Sequence, residues 1–267
     1  MLVSGLMVTR EASRAFVPAA IGDFARQTHA PRELVVVHDG GAPFDASVRA
    51  LCADAGVDAR IERVAPGQPL GALRNRSVEL ARGGVVAQWD DDDRHHPQRL
   101  ELQVGALRER HAAAAFSTEQ LHWFPARAMM FWEDWRMDAW PLDAVQGTLV
   151  AVRATLPRYP DAVRGEDSAM MQSLAQSGSA VARITGIGWS YIYTYHGGNA
   201  FSAAHHAANA SSKTLSAARL LAREAELRTR LAQYDPPLPP LRLPHAAGVI
   251  EIGAHAAPAR NRRASTA

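Results

Sequence analysis

The sequence predicts an α/β protein with a Rossmann-like, mostly parallel central sheet flanked by helices and a more antiparallel second half. Three features of the 267 residues indicate this fold. Short apolar runs alternate with amphipathic helical segments, which is the order of elements in doubly wound parallel sheets. The run at residues 33–38 (ELVVVH) is apolar at consecutive positions, as expected of a strand buried on both faces. Acidic residues and glycines follow such runs directly, at the strand ends where parallel sheets bind ligands.

The first half of the chain repeats a strand–helix unit. Residues 2–9 are mostly apolar, and residues 13–27 then space Phe16, Ala20 and Phe24 at helical intervals. Glycines follow several of these elements, as expected of helix ends and turns. The predicted strands of this half are 2–9, 33–38, 59–64 and 85–89, and the predicted helices are 13–27, 45–55, 70–82 and 97–109.

The composition changes in the second half, where tryptophan, methionine, phenylalanine and arginine become frequent. Four of the six tryptophans fall within residues 113–140, and this change predicts the more antiparallel region. We expect residues 236–267 to lack regular structure, because they are rich in Pro, His, Ala and Arg without a sustained period. The other predicted elements are strands at 145–152 and 180–195, a helix at 165–177 and a Leu/Arg-rich amphipathic helix at 212–234.

The composition also excludes several kinds of site. Cys52 is the only cysteine, so an internal disulfide and a thiolate-rich zinc or iron–sulfur site are excluded. Lys213 is the only lysine, which excludes a Schiff-base lysine or a Walker-type phosphate lysine upstream of it. The 29 cationic and 27 anionic side chains leave a net charge of +2, too small to predict a nucleic-acid partner. No apolar stretch approaches the ~20 residues of a spanning helix, and we expect a cytoplasmic protein.

Four consecutive aspartates, Asp90–Asp93, directly follow the predicted strand at 85–89. Like charges this close repel one another, and burial raises their pKa values unless a cation neutralises them. Oxygen ligands suit Mg²⁺ or Mn²⁺, and Mg²⁺ commonly binds one or two carboxylates together with substrate phosphates. The run therefore predicts a metal site that holds a diphosphate. A solvated acidic loop or a helix cap is the alternative interpretation.

Seven segments, in order along the chain, resemble the signatures of inverting family-2 glycosyltransferases with the GT-A fold. No single segment is specific for the family, but the occurrence of all seven in the same order is. The segments are 7–10 (MVTR), 25–29 (ARQTH), 33–41 (ELVVVHDGG), 71–77 (GALRNRS), 85–97 (VVAQWDDDDRHHP), 165–168 (GEDS) and 195–202 (YHGGNAFS). The resemblance covers about residues 1–205 and implies two regions: a nucleotide-sugar-binding half at 1–110 and an acceptor-binding and catalytic half of the same domain at 111–205. Residue pattern and composition add a C-terminal amphipathic helix at 206–235 and a disordered tail at 236–267.

The resemblance implies that the donor is a nucleotide-diphospho-sugar, most simply a UDP-sugar. Asp39 would accept a hydrogen bond from the base, since the N3–H donor of uracil suits a fixed carboxylate. Arg74 would contact the base or the diphosphate, whose oxygens fit a planar bidentate donor. Asp91 would lie near the ribose and Asp92 on the metal. The further candidates are Thr9, Arg10, Asn75 and Asp90 for donor binding, and Asp90 and His196 for the metal. His196 has the alternative role of a hydrogen-bonded turn residue.

An inverting transfer needs a base that takes the proton from the acceptor hydroxyl as it attacks the anomeric carbon. The resemblance places Asp167 at the position of this base, with Glu166 as the second candidate. Repulsion between the two carboxylates would raise one pKa toward neutral pH. Helix capping is the alternative role, because acidic residues are favoured in a first turn regardless of function.

The predicted acceptor is a hydroxyl group of a glycan or of a lipid-linked molecule. Tryptophan rings suit a partly wet sugar or lipid surface, although core packing is an equally simple role for them. The candidates are Trp123, Trp132, Trp135, Trp140 and Trp189. The Arg-rich C-terminal helix and tail permit peripheral contact with the inner face of a membrane, with a solvated surface as the alternative. The same helix permits an oligomer without requiring one.

Two other functions remain open at the level of sequence. A nucleotidyltransferase also combines an α/β sheet with aspartates and a metal, but residues 7–16 lack the Gly-rich phosphate loop and the lysine of that class. A module that binds nucleotide sugars without turnover is the second alternative. The leading hypothesis is a metal-dependent inverting glycosyltransferase of the hexosyltransferase type.

Overall fold

The computed structural model describes residues 1–239, 241–245 and 248–252. The strands are β1 (Val3–Thr9), β2 (Arg32–His38), β3 (Ala59–Arg63), β4 (Val85–Gln88), β5 (Arg94–His95), β6 (Ala114–Ser117), β7 (Glu119–Phe124), β8 (Met129–Asp134), β9 (Val150–Val152), β10 (Val181–Ile184), β11 (Tyr191–Thr194), β12 (Leu241–His245) and β13 (Gly248–Ile252). The α-helices are α1 (Val17–Ala25), α2 (Ala42–Asp54), α3 (Leu70–Leu80), α4 (Arg99–Glu109), α5 (Glu166–Gln176), α6 (Ala203–Lys213), α7 (Ala217–Leu221) and α8 (Glu224–Leu231). Within these ranges no helix combines the length and the apolar character needed to cross a membrane.

The central sheet has seven strands in the order β10-β6-β9-β4-β1-β2-β3. Its pairs are parallel except where β9 runs antiparallel between β4 and β6. The predicted α/β class with a mostly parallel sheet is confirmed. Because β4, β1 and β2 are parallel neighbours, their carboxyl ends meet at one edge of the sheet.

Both faces of the central sheet are covered, which explains the consecutive apolar residues of its strands. On β2, Leu34 and Val36 pack with Phe24 and Phe44 on one face. Val35 points to the opposite face and belongs to a second apolar cluster. The central sheet is therefore a rigid layer that fixes the position of the loops at its carboxyl edge.

A second sheet has six strands in the order β13-β12-β8-β7-β11-β5. It is more antiparallel than the first, with antiparallel pairs β7–β8, β12–β13 and β5–β11 and parallel pairs β7–β11 and β8–β12. Strand β5 follows the acidic run directly. The second sheet therefore begins at the carboxyl edge of the first.

The C-terminal region differs from the prediction of one amphipathic helix over 206–235. The chain forms the shorter helices α6, α7 and α8 instead. Thr214 makes a backbone bridge to Glu133, and the Leu215 amide donates to the Trp132 carbonyl at 3.0 Å. Residues that pair with a strand in this way cannot continue a helix, so the helix ends after Lys213.

The prediction that residues 236–267 lack regular structure is wrong for part of that segment. Residues 241–245 and 248–252 form an antiparallel hairpin that extends the second sheet beside β8. Leu243 and Ile250 are buried in the core of that sheet. Burial of these apolar side chains stabilises the hairpin. The Pro-rich composition of the segment, on which the prediction was based, does not reveal this burial. Residues 253–267 lie outside the described part of the chain.

Candidate active site

The acidic run lies at the carboxyl edge of the central sheet, beside the ends of β1 and β2. Thr9 is the last residue of β1, and Asp39 directly follows β2. Arg10 Nε is 3.9 Å from Asp39 Oδ2, and Arg10 Nη2 donates to the Gln68 carbonyl at 3.4 Å. The structure thus brings together three of the predicted donor-binding residues at adjacent strand ends.

A cavity of about 310 Å³ opens beside the acidic run and is lined by residues of both sheets. This volume is at the lower end of the ~300–1,000 Å³ typical of small-molecule sites. The predicted site residues that line it are Arg74, Asp90, Asp91, Asp92, Trp135, Glu166 and Asp167. The predicted residues that do not line it are Thr9, Arg10, Asp39, Asn75, His196, Trp123, Trp132, Trp140 and Trp189.

Arg74 joins the acidic run to the start of α5. Its Nε donates to Glu166 Oε1 at 2.8 Å, and Nη1 and Nη2 both donate to Asp90 Oδ1 at 3.1 Å. The second Asp90 oxygen accepts from Gln88 Nε2 at 2.8 Å. Burial raises the pKa of Glu166, while the Arg74 guanidinium acts in the opposite direction. Arg74 therefore compensates two carboxylates that face one cavity.

Asp92 is paired with His196, which lies in the loop after β11. His196 Nε2 is 3.0 Å from Asp92 Oδ2, and His196 Nδ1 accepts from the Gly198 amide at 3.3 Å. Because Nδ1 accepts, the hydrogen-bond network assigns the proton to Nε2, which donates to Asp92. A divalent cation at Nε2 would replace this proton.

Asp91 and Asp93 differ in how well their oxygens are satisfied. Asp93 accepts from the Tyr191 hydroxyl and from the Thr194 amide, the latter at 2.8 Å, and so ties β11 to the acidic run. Asp91 is 8% exposed, and its Oδ2 has no hydrogen-bond partner among the described residues. Burial, reinforced by the charge of Asp92, raises the pKa of Asp91 to about 7. A buried carboxylate oxygen without a partner favours a ligand that supplies a proton donor or a cation.

The two carboxylates at the start of α5 have different surroundings. Glu166 is buried and bound to Arg74. Asp167 lines the cavity, and its Oδ1 accepts from the Ser168 amide at 2.6 Å. No ion pair to Asp167 occurs within the described ranges of the chain. Asp167 is therefore the carboxylate of this pair that can receive a proton from a molecule in the cavity.

Asn75 has a structural role in place of the predicted donor contact. Its Nδ2 donates to the Tyr159 carbonyl at 2.8 Å, and its Oδ1 accepts from the Tyr159 amide at 2.9 Å. Both polar ends of the side chain are used to hold the 159 loop against α3. The prediction of Asn75 as a donor-binding residue is corrected on this ground.

The predicted tryptophan platform is also corrected. Trp132 is 0% exposed and Trp189 is 2% exposed, and both belong to the core of the second sheet. Arg223 lies over the Trp132 ring at 4.8 Å and Arg230 over the Trp189 ring at 4.1 Å, so the C-terminal helices cover them. Trp123 is half-buried and packs against the same core. Of the tryptophans considered, Trp135 is the one that lines the cavity.

Several cavity residues were not predicted as site residues, because most of them lie far apart along the chain and outside the quoted segments. They come from the second sheet, the loop after β11 and α6, and are Gln120, His122, Tyr193, Asn199, Phe201, His205, His206 and Asn209. Asn199 and Phe201 lie within the segment 195–202 but were given no role there. One signal was available. Gln120 and His122 alternate with Leu121 and Trp123, and this period of two places both polar side chains on one face of a strand.

An α/β fold with acidic residues at a strand end, facing a carboxylate at a helix start across one cavity, is the arrangement expected of a GT-A glycosyltransferase. The family model described as glycosyl transferase family 2 matches residues 6–140. This chain belongs to glycosyltransferase family 2.

Solved structures of S. aureus TarS share the fold. TarS 1–349 in complex with UDP-GlcNAc matches with a TM-score of 0.60 and 15% identity, over 88% of this chain and 68% of that chain. The complex with UDP has a TM-score of 0.58 and 14% identity, over 88% and 67%. A longer TarS structure has a TM-score of 0.59 and 14% identity, and this chain covers 49% of it. The predicted GT-A fold is confirmed. No curated protein matches the chain.

Proposed function

We propose that this glycosyltransferase moves a sugar from a nucleotide-diphospho-sugar to a hydroxyl acceptor by direct displacement with inversion. One observation carries the proposal: Asp92 and Asp167 line the same cavity, one at a strand end and the other at a helix start. Direct displacement needs a group that neutralises the departing diphosphate and a base for the incoming hydroxyl. The two aspartates supply carboxylates at separate places for these two tasks.

UDP is the nucleotide that we propose for the donor. Two of the similar TarS structures hold UDP-GlcNAc or UDP. In this chain the Asp39 side chain is 15% exposed, so its carboxylate can accept from the N3–H of uracil. The Asp91 oxygen without a partner suits a ribose hydroxyl, which is a hydrogen-bond donor. These contacts would place the nucleoside across the ends of β1, β2 and β4.

We propose a divalent cation, Mn²⁺ or Mg²⁺, at the diphosphate end of the site. No group of three or more His, Cys, Asp or Glu side chains is arranged to hold a metal within the described residues. A cation here would therefore rest on Asp92 and His196, with Asp90 nearby, and take its other ligands from the diphosphate and water. When bound, it supplies Lewis-acid stabilisation of the charge on the leaving group. Arg74, fixed between Asp90 and Glu166, would offset part of the negative charge that these two carboxylates bring to the diphosphate end.

Asp167 is the base that we propose. It faces the cavity without an ion pair among the described residues, whereas the neighbouring Glu166 is held by Arg74. The Glu166 carboxylate is already occupied by the Arg74 guanidinium, whereas an acceptor hydroxyl in the cavity can reach the Asp167 carboxylate directly. Glu166 instead fixes Arg74 in the orientation that reaches Asp90. The acceptor that we propose is a hydroxyl group of a glycan or a lipid-linked molecule.

Product analysis tests this function. The chain is incubated with UDP-glucose or UDP-GlcNAc, Mn²⁺ and a pool of glycan and lipid-linked acceptors, and the released UDP, the released pyrophosphate and the configuration of the new glycosidic bond are measured. We expect UDP, no pyrophosphate, and a β-linkage from these α-linked donors. In a parallel reaction with UTP and glucose 1-phosphate, release of pyrophosphate together with formation of UDP-glucose would identify a nucleotidyltransferase. An α-linkage formed from the UDP-sugars would contradict direct displacement. Asp161→Asn, a change of an exposed carboxylate outside the cavity, serves as the control that keeps wild-type turnover.

A further inference from the structure

A buried group of polar side chains lies on the wall of the cavity formed by the second sheet. Gln120 and His122 project from β7, and Glu133 lies opposite Gln120 on β8. Tyr193 of β11 lies beside His122 in the register. His122 is 1% exposed and Glu133 is 0% exposed. Polar groups at this depth cost free energy unless they are hydrogen-bonded.

Glu133 fixes the orientation and the tautomer of His122. Glu133 Oε1 lies 2.7 Å from His122 Nδ1, and Oε2 accepts from Gln120 Nε2 at 2.7 Å. An ionised carboxylate can only accept, so the network assigns the proton of the neutral ring to Nδ1. His122 Nε2 then carries a lone pair, and it has no hydrogen-bond partner within the described ranges. The wall therefore presents a fixed hydrogen-bond acceptor.

Two neighbouring side chains add further polar atoms without partners in the described structure. His206 of α6 is 4% exposed, and its Nε2 is unpartnered. Burial lowers the pKa of His206 to about 4, so its ring is neutral at neutral pH. The ring is held between Tyr193 and Tyr195, with centroid distances of 5.3 and 4.6 Å. Trp135 lines the same cavity, and its Nε1–H donor is also unpartnered.

The position of this group relative to the acidic run indicates which part of a ligand it would meet. Asn199 Nδ2 donates to the Tyr193 hydroxyl at 3.2 Å, and Asn199 Oδ1 accepts from the His196 amide at 2.9 Å. His196 is in turn bound to Asp92. Hydrogen bonds through Asn199 and His196 therefore connect Tyr193, beside His122, to the proposed diphosphate site. Asp39, the candidate for base recognition, is not among the lining residues of this cavity, whereas Asp92 and Asp167 are. A ligand atom at this wall therefore lies nearer to the diphosphate end of the donor than to the base.

We propose that His122, oriented by Glu133, forms with His206 and Trp135 a subsite for the hydroxyl groups of a sugar ring. A fixed acceptor and a fixed donor match a hydroxyl group, which can both donate and accept. The aromatic rings around them suit the apolar face of a sugar. The inference rests on the proposed function and deepens it. The sugar can come from the donor or from the acceptor, because both present the same hydroxyl chemistry.

Two binding arms separate these sources. In the first, dissociation constants for UDP, UDP-glucose and UDP-GlcNAc are measured by calorimetry with Mn²⁺. The ratio of the UDP dissociation constant to that of each UDP-sugar gives the contribution of the donor sugar to binding. In the second, binding of methyl glucosides is followed by ligand-observed NMR, with UDP and Mn²⁺ and without them. The test variants are His122→Phe, which removes the lone pair, His122→Gln, which keeps a polar end near Nε2, and Glu133→Gln. His111→Asn, a change of an exposed histidine outside this cavity, is the matched control.

We expect His122→Phe to weaken sugar-dependent binding by about five- to tenfold in one arm, the effect of one hydrogen bond. His122→Gln should recover part of this loss, and Glu133→Gln should resemble His122→Phe, while UDP binds every variant as it binds the wild type. A loss in the first arm assigns the subsite to the donor sugar, and a loss in the second assigns it to the acceptor. Unchanged binding in both arms, or no sugar-dependent binding by the wild-type protein, overturns the subsite. Failure of the wild type to bind any UDP compound overturns the proposed donor instead, and the methyl glucosides without nucleotide still test the subsite.

Discussion

Two walls of one cavity are built in different ways. On the wall formed by the central sheet and its helices, the reactive groups are charged and lie in short sequence motifs, such as Asp90–Asp93 at a strand end and Glu166–Asp167 at a helix start. On the wall formed by the second sheet, the polar groups are neutral or paired, and they come from β7, β8 and α6, which are far apart along the chain. The comparison teaches that short sequence motifs at the ends of strands and helices supply the charged groups of the cavity. The polar groups proposed to bind hydroxyls are instead brought together by the packing of separate elements.

The largest expected effect is on the charged wall, at the proposed base. Asp167→Asn removes the proton acceptor but keeps the size of the side chain, and the turnover number should fall by ~10²–10⁴-fold. UDP affinity should stay at the wild-type value, because no donor contact is assigned to Asp167. Steady-state kinetics together with UDP titration measure both quantities. Near-normal turnover would show that another group takes the proton.

The next effect concerns the stability of the same wall. Arg74→Met leaves Asp90 and Glu166 without their shared cation, and the free energy of unfolding should fall by ~3–5 kcal/mol, as for other broken buried pairs. Denaturant melting measures this change. Arg76→Met is the matched control on the same helix, because Arg76 pairs with Glu62 and Glu79 at the surface and should cost less than ~1 kcal/mol. Equal losses in the two variants would refute the buried role of Arg74.

A smaller effect is expected for the cation site. Asp92→Asn removes the carboxylate that we assign to the metal, so the part of UDP stabilisation that depends on Mn²⁺ should disappear. For a ligand at ~100 times its dissociation constant this stabilisation is about 2.7 kcal/mol. Thermal melting with UDP, in Mn²⁺ and in EDTA, reports it. If the Asp92→Asn protein keeps the full Mn²⁺-dependent shift in melting temperature, the metal is held by other ligands.

The smallest effect separates a structural residue from a ligand-binding one. Asn75→Ala removes two hydrogen bonds to the Tyr159 backbone, and the unfolding free energy should fall by ~1–3 kcal/mol. The dissociation constant for UDP should be unchanged, because both polar ends of Asn75 are used within the protein. A tenfold loss of UDP affinity in a folded variant would restore Asn75 to the donor site.

Much of the fold and of the charged wall could be predicted from the sequence. The buried strands β1, β2 and β4 have consecutive apolar residues that periodicity detects, and the acidic run and the pair Glu166–Asp167 lie in short motifs at the ends of such elements. These features are local, so one sequence is enough to find them.

The remaining features depend on contacts between distant residues. The C-terminal helix is interrupted because Leu215 bonds to the Trp132 backbone, and no pattern within 212–234 encodes that bond. The tryptophans were misassigned for the same reason, since burial by Arg223 and Arg230 depends on where the later helices pack. The pairing of His122 with Glu133 similarly arises from the register of two strands.

The most direct test of the central claim is the melting temperature of the full chain with UDP, GDP, CDP or dTDP, each in Mn²⁺, Mg²⁺ or EDTA. A donor site at the carboxyl edge of the central sheet predicts a rise of several degrees with UDP, given ~2–4 °C per kcal/mol for a chain of this size, and the loss of that rise in EDTA. An unchanged melting temperature with all four nucleotides would contradict a nucleotide-diphosphate site at Asp39 and Asp90–Asp93.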